Sequence, residues 1–313
     1  MAALAYFFRG FLLSRLSLWS LNYTIIIVLM FAVAWWRPMC NAIIRGTRCY
    51  QLLLLPHGVG PVSILVLTII FIDNLNWKLS GALLGQLIGW AFWIILFFWC
   101  IRHDFSGKKV RCQEEIRVIL HSLLPVGIFL TCTTVLGNFD RLFVRNFLTS
   151  ESGGYGAVVT LGAVPSLIIA GVSFVVFPLA AAAHATGRDL RKFLTQALLL
   201  GACITICCSV SYLLMGYPLM TFWKSEFAPF SRYLWPYTLA MGLHGMIMII
   251  GYIELARDKH DFLWILVFLT FAMCSVLYFG RNFISIARIL VILNVVYIII
   301  LGAMYWYATR DDK

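Results

Sequence analysis

The sequence predicts an all-α fold, a polytopic bundle of transmembrane helices with about nine spans. Three observations lead there. The chain of 313 residues is 62% hydrophobic and only 12% charged, with a mean hydropathy of +0.92. One soluble core of that length could not hide so much apolar surface. The apolar residues fall into stretches of about 20, the length that crosses a bilayer. Between them stand short polar segments, none long enough to fold as a separate soluble domain. Hydrocarbon offers backbone N–H and C=O groups no partners, so such stretches pair their own backbone as helices.

In chain order the stretches are about 19–36, 51–72, 80–101, 117–137, 155–180, 192–215, 232–254, 261–280 and 286–308. Residues 1–18 carry Arg9 and Arg15 too close together for a clean span. They fit an interfacial amphipathic helix or the remnant of a broken span, and they lack the small-residue cleavage site of a signal peptide. The segment 102–116 is the most basic connector, holding Arg102, Lys108, Lys109 and Arg111. It divides three spans in 19–101 from six in 117–313, the place where a protein of two helical bundles joins its halves.

The net charge is +11, from 24 Lys plus Arg against 13 Asp plus Glu. No nucleic-acid motif accompanies it, and in a membrane protein basic residues collect on the cytoplasmic side. Counted over alternate connectors, fifteen of the 24 cations fall on the side that includes Arg310 and Lys313. The C-terminus is therefore expected in the cytoplasm. Nine spans then place the N-terminus outside, which points to helices missing upstream. The nine cysteines show no CxxC spacing, and no metal or cofactor site is expected.

Chemistry concentrates in NFDRLFVRNFLTSESGGYGAVVTLGAV, residues 138–164. On a helix continued through 145, Asn138, Arg141 and Arg145 share one face at i, i+3 and i+7. Asp140 points elsewhere; the positions three and four beyond it are Phe143 and Val144. A charge beside hydrocarbon without a local partner faces a wet cavity or pairs with another helix. For the arginines a second reading stays open, snorkelling to the outer headgroups. The glycines that follow do not make a phosphate loop, because no Lys-Ser/Thr pair follows and no strand precedes. Ser150 to Gly156 read instead as a helix start with close helix packing. That span contains Pro165 and ends at Phe177-Pro178, so a bend is expected.

His244 lies inside WPYTLAMGLHGMIMIIGYIELARD, with Glu254 closing the stretch and Pro236 and Tyr237 near its outer end. An intramembrane histidine is a proton-relay candidate, and a neutral imidazole bonded to a neighbouring helix is the plainer reading. There is no HExxH, no GxSxG and no paired carboxylate motif, so an enzyme is not expected.

The segment LPVGIFLTCTTVLGNFDRLFVRNFLTSESGGYGAVVTLGAVPSLIIAGVSFVVFPLAAA resembles the Wzx-type polysaccharide flippases of the multidrug/oligosaccharidyl-lipid/polysaccharide exporter superfamily. The matching positions are Asn138, Asp140, Gly154, Tyr155, Phe177 and Pro178. The resemblance implies two six-helix lobes around a cavity, with 117–313 as a complete C-terminal lobe and 19–101 as part of the N-terminal one. It implies an undecaprenyl-diphosphate-linked oligosaccharide as cargo, no cofactor, and residence in the bacterial cytoplasmic (inner) membrane beside glycosyltransferases and a glycan polymerase. Asn138, Asp140, Arg141, Arg145, Tyr155, His244 and Glu254 become cavity or gating candidates, and Pro165, Pro178 and Pro236 kink candidates. Two rival expectations stand beside it: a cation-coupled multidrug exporter of the same superfamily, and a membrane-embedded glycan polymerase or ligase. The second would want a long outer loop, and 138–154 is the longest expected here.

Overall fold

The computed structural model describes residues 25–30, 32–33, 36, 59–101, 113–186, 191–257, 260–279 and 283–310. Segment 1–18 and residues 102–112 of the basic connector lie outside the described residues. Among the described residues there is no strand, and helix occupies part of each of the nine apolar stretches. The chain is an all-α, polytopic membrane protein. By contacts it divides into two compact units, Met1–Arg111 and Cys112–Lys313.

In the first unit, α1 (Gly60–Ile69) begins with Pro61 in its first turn and widens into a π turn, Ile70–Asn74. Proline suits that start because its missing N–H would have had no helical partner there. Asn76 then reverses the chain with φ at 54°, a left-handed conformation that asparagine tolerates better than most residues. It leads into α2, Lys78–Ile101. Gly81, Gly85 and Gly89 form a stripe at i, i+4 and i+8 facing α1. A Cβ on Gly85 would lie 2.8 Å from the Thr68 backbone nitrogen, and one on Gly89 2.5 Å from Ile64 Cγ1. Small residues let helix backbones meet where lipid offers no hydrophobic drive to associate.

The second unit holds α3 (Gln113–Phe147), α4 (Ser152–Gly162), α5 (Val164–Ala185), α6 (Arg191–Trp223), α7 (Ser231–Ala256), α8 (Phe262–Phe279) and α9 (Phe283–Arg310). Short 3-10 turns, Thr149–Glu151 and Ser225–Phe230, precede α4 and α7. The centre is α7, which packs on α3, α4, α5, α6 and α9. Its buried residues run round the whole circumference, as expected of a helix enclosed by others.

Each neighbour meets α7 at a residue that permits or requires closeness. Gly242 receives Thr205 of α6, Gly245 receives Ile169 of α5, and Gly251 receives the ring of Phe129 from α3. From α9, Asn294 donates to the Ala240 carbonyl at 3.3 Å. Between α9 and α8, the Tyr297 hydroxyl donates to the Leu266 carbonyl at 3.2 Å, beside Thr270.

Three expectations need correcting. The fourth stretch does not end at 137: α3 continues to Phe147, so 138–154 is mostly helix rather than an outer loop. Its polar residues do not break the helix, because Asp140 finds partners on other helices. Pro165 interrupts the hydrogen bonding of the single apolar stretch Ser152–Ala183, as expected of a proline inside a span: α4 ends at Gly162 and α5 starts at Val164. Pro178 does not end its span either, since the alanine-rich LAAAAHA behind it propagates α5 to Ala185. Finally, of the glycines opening α4, only Gly154 is a close-packing residue, against Phe230; Gly153 and Gly156 have nothing within 4 Å of where a Cβ would stand.

The break before α5 is repaired from outside. Pro165 has no N–H for the Leu161 carbonyl four residues earlier. The Tyr212 hydroxyl of α6 donates to that oxygen at 3.1 Å. Tyr212→Phe is therefore expected to lower stability by about 1–2 kcal/mol, read as a drop in the thermal midpoint in detergent. Adding Pro165→Ala, which restores a backbone donor, should recover part of the loss. Equal losses in the single and double variants would reject the pairing.

Among the described residues, four helical stretches are long and apolar enough to cross a bilayer: Leu79–Trp99, Ser152–Ala183, Arg191–Trp223 and Ser225–Ala256. Gly60–Asn74, Phe262–Leu277 and Arg288–Ile300 are shorter apolar helices.

Candidate functional site

Three elements of the second unit converge near the end of α3. Asp140 comes from α3, Tyr155 from the first turn of α4, and Tyr237 from the second turn of α7. All three are buried, Asp140 completely. Asp140 Oδ2 accepts the Tyr155 hydroxyl at 2.6 Å and the Tyr237 hydroxyl at 3.0 Å. The two rings meet edge to face, their centroids 5.9 Å apart. Gly162, the last residue of α4, lets Tyr237 in: a Cβ there would stand 2.6 Å from Tyr237 Cδ1.

The site is thus a carboxylate removed from solvent, with one oxygen doubly bonded to phenols and the other open. Asp140 Oδ1 is buried and has no hydrogen-bond partner. Hydrogen bonds to a charged oxygen are stronger than neutral ones, yet a bare buried carboxylate oxygen is costly. Such an atom is a place for a proton or a cation.

Asn138, Arg141 and Arg145 occupy the opposite, exposed side of α3. Asn138 Nδ2 turns back onto its own helix, donating to the Thr134 carbonyl at 2.9 Å. Arg141, next to Asp140 in sequence, is exposed where Asp140 is buried, so the cation and the acid leave the helix in different directions.

Further along α7, His244 is buried beside Gly137 of α3, whose added Cβ would lie 3.3 Å from Nε2; its Nδ1 has no partner. At the other end of α7, Glu254 pairs with Arg257 at 3.3 Å, both buried. Around that end the Phe129, Tyr252, Phe177 and Phe262 rings of α3, α7, α5 and α8 touch edge to face. The structure thus joins Asp140 to Tyr155, sets His244 elsewhere on the α3–α7 seam, and holds Glu254 apart in its own ion pair. Pro236 lies inside α7, immediately before Tyr237.

Sequence reading missed the roles of Tyr237 and Arg257. Tyr237 stands near the outer end of its expected span, yet a phenol inside an apolar stretch needs a buried acceptor. Arg257 lies between the expected stretches 232–254 and 261–280, yet it sits three residues after Glu254, the spacing of a helical ion pair. Among the described residues, no group of three or more His, Cys, Asp or Glu could hold a metal ion.

No protein-family model matches the sequence. No curated protein matches it. Among solved structures, the crystal structure of a point mutant of VcmN, a Vibrio cholerae MATE transporter, superposes with a TM-score of 0.73. The match covers 99% of this chain and 76% of that one at 16% sequence identity. The chain accordingly has the fold of a MATE transporter.

Proposed function

We propose that the protein is a transporter of the multidrug/oligosaccharidyl-lipid/polysaccharide exporter superfamily that moves a lipid-linked oligosaccharide across the bacterial cytoplasmic membrane. The observation that carries this reading is Asp140, an acid enclosed by Tyr155 and Tyr237 in a MATE-type bundle, with Arg141 and Arg145 exposed behind it. An ionisable group inside a helical bundle is expensive, and it is kept where ions or polar cargo pass. A sugar head group cannot cross hydrocarbon, so a polar passage shields it while the lipid tail stays in the bilayer. Guanidinium groups grip a diphosphate through paired, charge-assisted hydrogen bonds. Rocking of helical bundles then exposes the passage to each side in turn. In this reading the C-terminus is cytoplasmic, and the partners are glycosyltransferases that build the cargo and a polymerase that consumes it.

The experiment is to delete the gene in its host and measure surface glycan and intracellular lipid-linked oligosaccharide. Loss of surface glycan with build-up of the lipid-linked precursor, restored by the wild-type gene, supports the proposal. Normal glycan with raised drug accumulation would replace it by the second reading, a cation-coupled drug exporter, which the open Asp140 Oδ1 also favours.

A further inference from the structure

We infer that the first unit holds a binding site for an uncharged sugar ring, in the cavity between α1 and α2 where Trp90 and Trp93 stand beside Gln86 and Thr68. The inference rests on the lipid-linked cargo reading for the source of that sugar; the class of ligand comes from the lining alone.

The cavity measures ≈ 490 Å³, inside the range of about 300–1,000 Å³ that small-molecule sites occupy. Its walls follow from the helix period. Gly85 and Gly89 bring α2 against α1. Gln86 and Trp90 follow them in sequence, so they leave α2 about 100° round from that seam. Gln86, Trp90 and Trp93 fall at i, i+4 and i+7, one face of α2. Pro61, Ile64 and Thr68 fall at i, i+3 and i+7, one face of α1. Two rows of side chains thus wall the space.

The lining carries no charge: among the described residues around the cavity there is no Asp, Glu, His, Lys or Arg. A diphosphate or a metal ion would find no counter-charge there. The lining is also aromatic. Trp93 is buried and held against Phe97, ring centroids 6.2 Å apart, and Trp90 is half-buried. Indole faces are electron-rich, and the C–H bonds on one face of a pyranose are apolar and slightly positive, so the two stack. Finally, the cavity holds hydrogen-bonding groups that the helices do not use. The hydroxyls of Thr131, Thr133, Thr205 and Thr270 donate back to carbonyls of their own helices. The Thr68 hydroxyl and the Gln86 amide make no hydrogen bond among the described residues. Gln86 lies inside the apolar stretch Leu79–Trp99, where an unmatched amide is costly. An amide both donates and accepts, the pattern that neighbouring sugar hydroxyls require. A hydrocarbon chain would leave Gln86 and Thr68 unmatched, and a cation would meet the indoles but no acid.

The test uses the purified full chain in nanodiscs and saturation-transfer difference NMR. The neutral probes are methyl glucopyranoside, methyl galactopyranoside and N-acetylglucosamine, with tetraethylammonium as the cationic control. Magnetisation is expected to pass to the ring protons of at least one pyranoside, above the level of empty nanodiscs, and not to tetraethylammonium. Gln86→Leu keeps the size of the side chain and removes its polar atoms. It is expected to weaken binding about threefold to tenfold, with no fall in the thermal midpoint. Trp90→Leu should weaken it about tenfold, and Trp90→Phe, which keeps an aromatic face, by less. Three results would each overturn the inference: no pyranoside signal over empty nanodiscs, equal affinities in wild type, Gln86→Leu and Trp90→Leu, or saturation of tetraethylammonium in place of the sugars. Pyranoside binding by a chain that moves no oligosaccharide would leave the site standing and remove only the transport reading.

Discussion

Replacing Asp140 with alanine is expected to abolish transport and to destabilise the second unit, whereas Asp140→Asn should lose transport alone. The two variants differ in what they leave for the tyrosines. Alanine removes the acceptor of two buried hydroxyls, Tyr155 and Tyr237, each of which then costs about 1–3 kcal/mol without a replacement bond. Asparagine keeps a carbonyl oxygen of the same shape and reach, so both phenols stay bonded, while the ionisable oxygen is gone. Thermal unfolding in detergent should show a clear fall for Asp140→Ala and a small change for Asp140→Asn. Cellular glycan export should fail in both. An alanine variant as stable as the wild type would mean that the tyrosines do not depend on this carboxylate, and an active asparagine variant would deny it any ionic part.

Substitution of Gly242 is expected to destabilise the second unit even where it adds only carbon. A Cβ there would overlap the Thr205 side chain, standing 2.7 Å from Thr205 Cβ. Thr205 has little freedom to move. Its β-branch restricts χ1, and its hydroxyl is bonded to the Gly201 carbonyl at 2.7 Å. The seam between α6 and α7 must therefore open. Gly242→Ala is expected to cost about 1–3 kcal/mol, the usual penalty of overpacking a filled core, and Gly242→Leu more. Combining Gly242→Ala with Thr205→Gly should make the alanine far less harmful, because the opposing Cβ has gone. Additive losses in the thermal midpoint would show that the seam is not where the strain lies.

Much of the fold was legible because lipid makes the rule simple. Stretches of about 20 apolar residues can only be helices, and helix is found in part of each of them. Their ends were harder to read. The stretch ending at 137 looked terminated by Asn138, Asp140 and Arg141, since a sequence window sees charges but not the tyrosines, 15 and 97 residues away, that satisfy Asp140. Pro165 did mark an interruption inside its span, but the sequence could not show that Tyr212, on another helix, bonds the carbonyl left open there. Helical geometry did put Asn138, Arg141 and Arg145 on one side and Asp140 on another, and the exposed and buried faces of α3 follow that division.

Other signals were present in the sequence and went unread. Gly81, Gly85 and Gly89 spell a close-packing stripe four residues apart, which needed no structure to notice. Glu254 and Arg257 stand at helical pairing distance, hidden because the arginine looked like part of a cytoplasmic loop. Tyr237 is different. Nothing local distinguishes it from other interfacial aromatics, and its role depends on Gly162 of α4 leaving room for the ring to reach Asp140.

The central claim is that this bundle carries a lipid-linked oligosaccharide and that Asp140 is part of the passage. It is tested most directly by reconstituting the purified chain into liposomes that contain undecaprenyl-diphosphate-linked oligosaccharide, and following the sugar's exposure to an impermeant lectin. The account predicts exposure at a rate well above that of empty liposomes, lost in Asp140→Asn at equal protein incorporation. Equal rates in wild-type, Asp140→Asn and empty liposomes would contradict it.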